Sequence, residues 1–303
     1  MKYSIIIPVY NEEENIEVFY NRLIKVLKNL HKSYEVIFVN DGSTDNSLNI
    51  LKKIRDIRII SLTRNFGQQA ALMAAFNNVK GDEIITIDVD LQMNPEDIPK
   101  LINKINEGYD IVYGVYNKNR KNIFRKICSN FAKWSLSKLI PYNSTTETGG
   151  FRIIKNYVIK QIIQFKEKSK MLDSLLCWTG YKIGKVDVNH NNRYAGKSKY
   201  SFFKLIKYWF DMVVSLTYIP LKIAIFGGIF IGGLALSLGL YYFIRYLFFG
   251  ATVEGFTTLA IFIAMFSGIQ LFCLGIIGEY LGRTNKEVMN KPEYIIKEIT
   301  KSI

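Results

Sequence analysis

The chain has 303 residues, 49% hydrophobic and 22% charged, a balance that supplies a full core and excludes global disorder. Its formal charge of +14 and pI near 9.4 call for a phosphate-rich partner: nucleic acid, an anionic membrane surface or a phosphorylated substrate. Cys128, Cys177 and Cys273 lie far apart without metal-type spacing, which argues against a disulfide framework or zinc site and fits a reducing compartment.

The first residues lack a basic region followed by a long apolar stretch, so they read as a strand of a folded domain and no cleaved signal is expected. From Tyr3-Ser4-Ile5-Ile6-Ile7-Pro8 onward, β-branched runs at residues 34–39, 58–62, 83–87 and 110–113 alternate with helical patterns. This predicts an α/β domain with a mostly parallel sheet and helices on both faces. Runs such as Ile5-Ile6-Ile7 and Val36-Ile37-Phe38-Val39 are apolar on both sides, as strands buried on two faces are. Asn40-Asp41-Gly42-Ser43 and Asp88-Val89-Asp90 then fall at strand C-terminal ends, the edge where open α/β sheets bind ligands. His31 and His190 have no nucleophile or metal partner by spacing and read as solvated or structural.

Residues 201–218 place Phe202, Phe203, Ile206, Trp209, Phe210 and Val213 at helical spacing among lysines, the pattern of an interfacial amphipathic helix, with a core-facing helix as the alternative. Residues 223–244 and 255–277 carry no charged side chain and are each long enough to span a bilayer as a helix. Five lysines (Lys197, Lys199, Lys204, Lys207, Lys222) precede the first span, and Arg283, Lys286, Lys291, Lys297 and Lys301 follow the second, whereas the connection contains one cation, Arg245. The positive-inside bias puts both termini in the cytoplasm around a two-helix hairpin. The expected division is a catalytic domain at 1–200, the interfacial helix at 201–218, two spans within 219–282 and a cytoplasmic amphipathic tail at 283–303.

In an extended strand end, residues two apart point the same way, so Asp88 and Asp90 can face one ion. A hard cation held by one or two carboxylates is the usual neutraliser of a leaving diphosphate. Asp-x-Asp alone is a common solvated loop, but here it follows the apolar run 83–87 and precedes Leu91-Gln92-Met93-Asn94-Pro95-Glu96, a turn opening a helix.

Five motifs occur in order: Pro8-Val9-Tyr10-Asn11-Glu12-Glu13, Asn40-Asp41-Gly42-Ser43-Thr44-Asp45, Arg64-Asn65-Phe66-Gly67, Asp88-Val89-Asp90-Leu91-Gln92 and Gly149-Gly150-Phe151-Arg152. Together they resemble the family 2 inverting glycosyltransferases of GT-A (Rossmann-like) fold. More narrowly, the chain resembles the polyisoprenyl-phosphate glycosyltransferases, and Gly278-Glu279-Tyr280-Leu281-Gly282-Arg283 after the second span matches their bacterial, two-span branch. The resemblance implies transfer of a hexose from a UDP- or GDP-linked sugar to undecaprenyl phosphate at the cytoplasmic membrane face, for cell-envelope glycosylation. It implies donor contacts from Pro8, Tyr10, Asn11, Glu12, Asp41 and Asp88, and Mg²⁺ or Mn²⁺ held by Asp88, Asp90 and Gln92. A homo-oligomer is a further expectation, and nucleic acid is not an expected partner because the cations cluster around the spans and the motifs.

Two departures from the family pattern bear on chemistry. Asn40 stands where relatives carry an aspartate, which leaves Asp41 as the carboxylate to trust; an Asx turn or helix cap is its alternative role. Gly150 stands where many bacterial relatives carry an acid proposed as base. A phosphate monoester with a second pKa near ~6 is largely dianionic at neutral pH and needs cations more than a base. The candidates for the acceptor phosphate are Arg120, Arg125, Lys126 and Ser129 on one segment, Arg152, and Arg193, Lys197 and Lys199 on another. Of these, Arg152 and Arg193 join Asp90 as the expected catalytic set, against the alternative that such cations only meet anionic lipid. A processive polysaccharide synthase would carry Gln-x-x-Arg-Trp and more spans, neither of which occurs; a decayed membrane scaffold is the other alternative, motivated by Asn40 and Gly150.

Overall fold

The computed structural model describes residues 1–116, 150–165, 172–189, 191, 219–249, 255–289 and 291–301. Strand β1 (Tyr3–Val9) leads through helix α1 (Ile16–Asn29) to β2 (Tyr34–Asn40), then α2 (Ser47–Lys53), β3 (Arg58–Leu62), α3 (Gln68–Phe76) and β4 (Glu83–Thr86). A 3₁₀ turn at Pro95–Asp97 runs into α4 (Ile98–Asn106), followed by β5 (Ile111–Val115), β6 (Arg152–Lys155), α5 (Asn156–Gln164), α6 (Leu172–Trp178) and β7 (Ile183–Asp187). After the long helices α7 (Ile219–Phe249) and α8 (Phe256–Val288) the chain ends in β8 (Ile296–Lys301).

The eight strands form one sheet in the order β7-β5-β6-β4-β1-β2-β3-β8. β4, β1, β2 and β3 are mutually parallel, as is the β5/β7 pair, whereas β6 and β8 run antiparallel to their neighbours. Ile5, Ile6 and Ile7 are all fully buried, which is possible only because helices cover both faces. On one face Ile5, Ile7 and Phe38 meet Phe19, Leu23 and Leu27 of α1, four residues apart and therefore on one helical stripe. On the other, Ile6, Ile37 and Ile84 meet Ala71, Ala75 and Phe76 of α3 together with Ile159 and Leu176. The small residues of α3 let its axis approach the sheet closely, and that places its N-terminus beside the strand ends.

The C-terminal tail departs from expectation. Residues 296–301 alternate between part-buried and exposed, as an amphipathic segment does, but they are a strand of the sheet, paired antiparallel with β3 from Arg58 opposite Lys301 to Leu62 opposite Ile296. Lys52 reaches Glu298 at 3.0 Å and Asn77 Nδ2 donates to Tyr294 Oη at 2.9 Å. The physical reason is the edge of β3, whose unpaired backbone groups are satisfied by an added strand. Ile295, Ile296 and Ile299 have helical spacing, which hides the strand from a reading based on period.

The chain divides into two compact units, Met1–Leu205 with Pro292–Ile303, and Ile206–Lys291. In the second, α7 has 31 residues and α8 has 33, and Phe226, Phe230, Leu236, Leu271 and Phe272 all stand exposed. At ~1.5 Å per residue these helices extend roughly 46 and 50 Å, beyond the ~30 Å hydrocarbon thickness, and both are long and apolar enough to cross a membrane.

Glu35, on β2, sits near the N-terminal edge of the sheet with 8% of its surface exposed. It accepts hydrogen bonds from Ser4 Oγ (2.5 Å), Arg58 Nη1 (2.8 Å) and the Lys80 N–H (2.7 Å). Burial pushes its carboxyl up, but those donors together outweigh burial and hold it below the usual carboxylate value. A depressed carboxyl stabilises the fold above the unfolded pKa of about 4.3, and the stabilisation is lost as pH falls through the lower folded value. We therefore expect Arg58→Met to cost about 3 kcal/mol at pH 7, because it strands a buried charge. In thermal unfolding of the detergent-solubilised chain, the gap from wild type should narrow below about pH 4; equal melting at pH 7 would contradict the assignment.

Candidate active site

The C-terminal ends of β1, β2 and β4 converge on one edge of the sheet, and the loops that leave them are tied to one another. After β1, Asn11 adopts a left-handed backbone (φ 54°) that turns the chain across the edge. Its amide oxygen accepts the Thr44 N–H at 2.8 Å, its Nδ2 donates to Thr44 Oγ1 at 3.2 Å, and its own N–H donates to Ser43 Oγ at 3.1 Å. The Glu12 N–H donates to Ser47 Oγ at 3.0 Å, and the Asn46 N–H to Glu13 Oε2 at 2.9 Å. Tyr10, Asn11 and Glu12 are thereby held against the β2–α2 loop, with part of each side chain accessible.

Asn40 and Asp41 divide two tasks. Asn40 is buried and accepts the Ser43 N–H at 3.1 Å, an Asx turn that an amide performs as well as a carboxylate. Asp41, 3% exposed, instead accepts the N–H of Phe66 at 2.7 Å and of Gly67 at 2.9 Å. Burial pushes its carboxyl above the usual value, and the two backbone donors offset part of that. Between them Gly42 (φ 63°) lies so close to Arg64 that a Cβ would come within 2.3 Å of the Arg64 carbonyl carbon. Only glycine fits there, and the Arg64-Asn65-Phe66-Gly67 loop is clamped onto the β2 end.

Just past β4, where residues 89–90 form a turn instead of the expected extended strand end, Asp88 and Asp90 are part-exposed on either side of buried Val89. Asp90 Oδ1 accepts the Gln92 N–H at 3.1 Å across Leu91, whose φ is 59°. Asp88 Oδ1 accepts Gln68 Nε2, from the first turn of α3, at 2.7 Å. Among the described residues no cluster of three or more His, Cys, Asp or Glu could chelate a metal unaided. The donor set fits a hard cation that takes one or two carboxylates and completes its shell from phosphate oxygens and water. The Asn191 N–H donates to the Gln92 carbonyl at 2.9 Å and its Nδ2 to Asn94 Oδ1 at 2.8 Å, which ties Asn191 to this loop.

Arg152 is placed differently from its expected role as a cation for an incoming phosphate. It is 2% exposed, its Nε donates to Thr86 Oγ1 at 3.2 Å, and its guanidinium is ion-paired with Asp173. Tyr113 Oη donates to the same carboxylate at 3.4 Å, and burial pushes its phenol far above the tyrosine range. Burial alone would lower the Arg152 value, but Asp173 and Tyr113 more than compensate, so the side chain is a cation already neutralised within the fold. Asp173 and Gln68 are residues that sequence reasoning missed, since neither belongs to a motif of charged residues at the strand ends. Arg120, Arg125, Lys126, Ser129, Arg193, Lys197 and Lys199 lie outside the described residues.

Comparison with known proteins matches residues 4–163 to the model of glycosyl transferase family 2. The chain is 37% identical over 306 aligned residues to an undecaprenyl-phosphate 4-deoxy-4-formamido-L-arabinose transferase of Proteus mirabilis, covering 98% of this chain and 94% of that one. It is also 37% identical to the glycosyltransferase YkcC of Bacillus subtilis, with 98% and 94% coverage. Among solved structures, a glucosyl-3-phosphoglycerate synthase of Mycobacterium tuberculosis in complex with Mn²⁺, UDP and phosphoglyceric acid aligns with TM-score 0.48 and 19% identity, over 71% of this chain and 77% of that one.

The Arg152–Asp173 pair generates its own expectation. Asp173→Ala leaves the guanidinium buried without its counter-charge and should lower stability by about 3 kcal/mol. Thermal melting of the purified chain checks this, and a melting temperature equal to wild type would show that Arg152 is not held by Asp173.

Proposed function

The chain belongs to glycosyl transferase family 2, and we propose that it transfers a sugar from a nucleotide sugar to a polyisoprenyl phosphate, undecaprenyl phosphate, on the cytoplasmic face of a membrane. The observation that carries this reading is the convergence of Tyr10–Glu12, Asp41, the Arg64–Gly67 loop and Asp88–Gln92 on one sheet edge, in a chain with two membrane-length apolar helices. Relatives alike over almost the full length and named as undecaprenyl-phosphate sugar transferases support the choice of acceptor.

In this reading Pro8, Tyr10, Asn11, Glu12 and Asp41 line the nucleoside pocket, and Asp88, Asp90 and Gln92 hold Mg²⁺ or Mn²⁺ against the diphosphate. The ion supplies positive charge where negative charge develops on the leaving group. The acceptor phosphate needs no proton removed: with a second pKa near ~6 it arrives as a dianion. Its oxygen forms a bond to the anomeric carbon as the bond from that carbon to the diphosphate oxygen breaks, with inversion. Because both reactants are anions, the remaining requirement is cationic positioning. Arg120, Arg125, Lys126 and Ser129, with Arg193, Lys197 and Lys199, are proposed for it. Arg152, neutralised by Asp173, is assigned to holding the β4 and β6 ends instead of touching phosphate.

The same reading proposes a topology. β8 lies in the same sheet as β1 to β7, so the chain must return to the side of the membrane on which it started, and the number of crossings between β7 and β8 is even. The two long helices satisfy that, and the cation asymmetry around them assigns the shared side to the cytoplasm, where nucleotide sugars are made.

The test is direct. Full-length protein in detergent with undecaprenyl phosphate, Mn²⁺ and a panel of radiolabelled nucleotide sugars should move label into the organic phase for at least one sugar. Asp90→Ala should reduce that transfer by roughly a hundredfold or more. Failure with every sugar, or wild-type turnover by Asp90→Ala with metal chelated, would overturn the proposal.

A further inference from the structure

Asp88 lies two residues past the end of β4, and its carboxylate is confined on two sides. On one flank Gln68 Nε2 donates to Oδ1 at 2.7 Å. On the other lies the backbone of Gly150, where a Cβ would stand 2.7 Å from Oδ2 and 2.9 Å from Oδ1, closer than real Cβ atoms come to another heavy atom. Neither flank is loose. The Gly150 carbonyl accepts the Thr86 hydroxyl at 2.6 Å, which pins it to β4 two residues before Asp88. Gln68 follows Gly67, whose N–H is held by the buried Asp41 carboxylate at 2.9 Å, and the Ala71 N–H closes the first turn of α3 on the Gly67 carbonyl at 3.1 Å.

A carboxylate at a strand end rotates about two side-chain torsions, and a ligand that must be re-ordered for each ion binds it weakly. Partners behind the ligating atoms remove that freedom, and in known metal sites their loss typically weakens metal binding tenfold to a hundredfold. We propose that Gln68 and Gly150 are positioning residues that together seat the Asp88 carboxylate for the divalent cation. The inference rests on the metal-dependent donor site proposed above and deepens it. It also bears on the glycine: any side chain at position 150 would push the Asp88 carboxylate out of this seat, since a Cβ there would stand 2.7 Å from its Oδ2.

The experiment measures Mn²⁺ binding by electron paramagnetic resonance in the presence of saturating UDP or GDP, for full-length wild type, Gln68→Leu and Gly150→Ala. Nucleotide binding in chelator is measured in parallel by calorimetry. Gln68→Leu keeps the side-chain volume and removes the donor at an exposed position, so it is the variant that decides the matter should Gly150→Ala unfold. The expected result is Mn²⁺ affinity reduced about tenfold or more in both variants, with metal-free nucleotide binding unchanged. Mn²⁺ affinity equal to wild type in Gln68→Leu overturns the inference and leaves the donor site standing. So does a loss confined to metal-free nucleotide binding, which would make Gln68 a nucleotide contact. A wild type that binds nucleotide but no Mn²⁺ overturns the metal site and the inference with it.

Discussion

A carboxylate buried to 3% exposure has to find hydrogen-bond donors inside the protein, and Asp41 finds two in consecutive backbone N–H groups, those of Phe66 and Gly67. Much of the active edge depends on that contact. It draws the β3–α3 loop over the end of β2, which requires Gly42 because Arg64 leaves no room for a side chain. It sets where α3 begins, and so where Gln68 meets Asp88. Asp41, proposed for the nucleoside pocket, thus also fixes the frame in which Asp88, proposed for the metal, is held, so the two halves of the proposed donor site are mechanically one.

Charge is distributed with the same economy. The chain carries a formal +14, yet the edge formed by β1, β2 and β4 presents Glu12, Asp88 and Asp90, with Asp41 buried behind them, which suits a metal–diphosphate and not a bare anion. Arg152, beside that edge, is neutralised by Asp173, and Arg64 lies over the ring of Phe66 at 4.8 Å. The seven cationic and hydroxyl side chains proposed for the acceptor fall within 120–129 and 193–199. The proposed function therefore assigns donor and acceptor chemistry to different parts of the chain: strand ends for the donor and the stretches 120–129 and 193–199 for the lipid phosphate.

Sequence pattern revealed the strands at 3–9, 34–40, 58–62, 83–86 and 111–115 because a short β-branched run that is apolar on both faces is stable in water only when helices cover both sides of its sheet. Asp88 and Asp90 were legible as part-exposed carboxylates past a strand end, but not the turn at residues 89–90 that carries them, because the strand stops at Thr86. Three strands were not legible. β6 and β7 are short, and β8 carries isoleucines at helical spacing, so its pairing with β3 depends on an edge that only the folded sheet creates. Arg152 was legible as a cation near the site but not as a buried one, because its partner lies 21 residues on, on a separate helix. The two departures from the family pattern have geometric readings once folded: Asn40 supplies an Asx turn, and Gly150 gives the Asp88 carboxylate its space.

The central claim is that a nucleoside diphosphate with a divalent cation occupies the edge built from β1, β2, β4 and the start of α3. Amide hydrogen exchange of the full-length protein in detergent, with and without UDP or GDP and Mn²⁺, tests this most directly because it reports on each segment of backbone. The account predicts slowed exchange in residues 8–12, 41–47, 64–68 and 88–92 when nucleotide and metal are both present, and little change at β5, β7 or the two long helices. Slowing confined to segments away from that edge, or none at ligand concentrations that saturate binding, would contradict it.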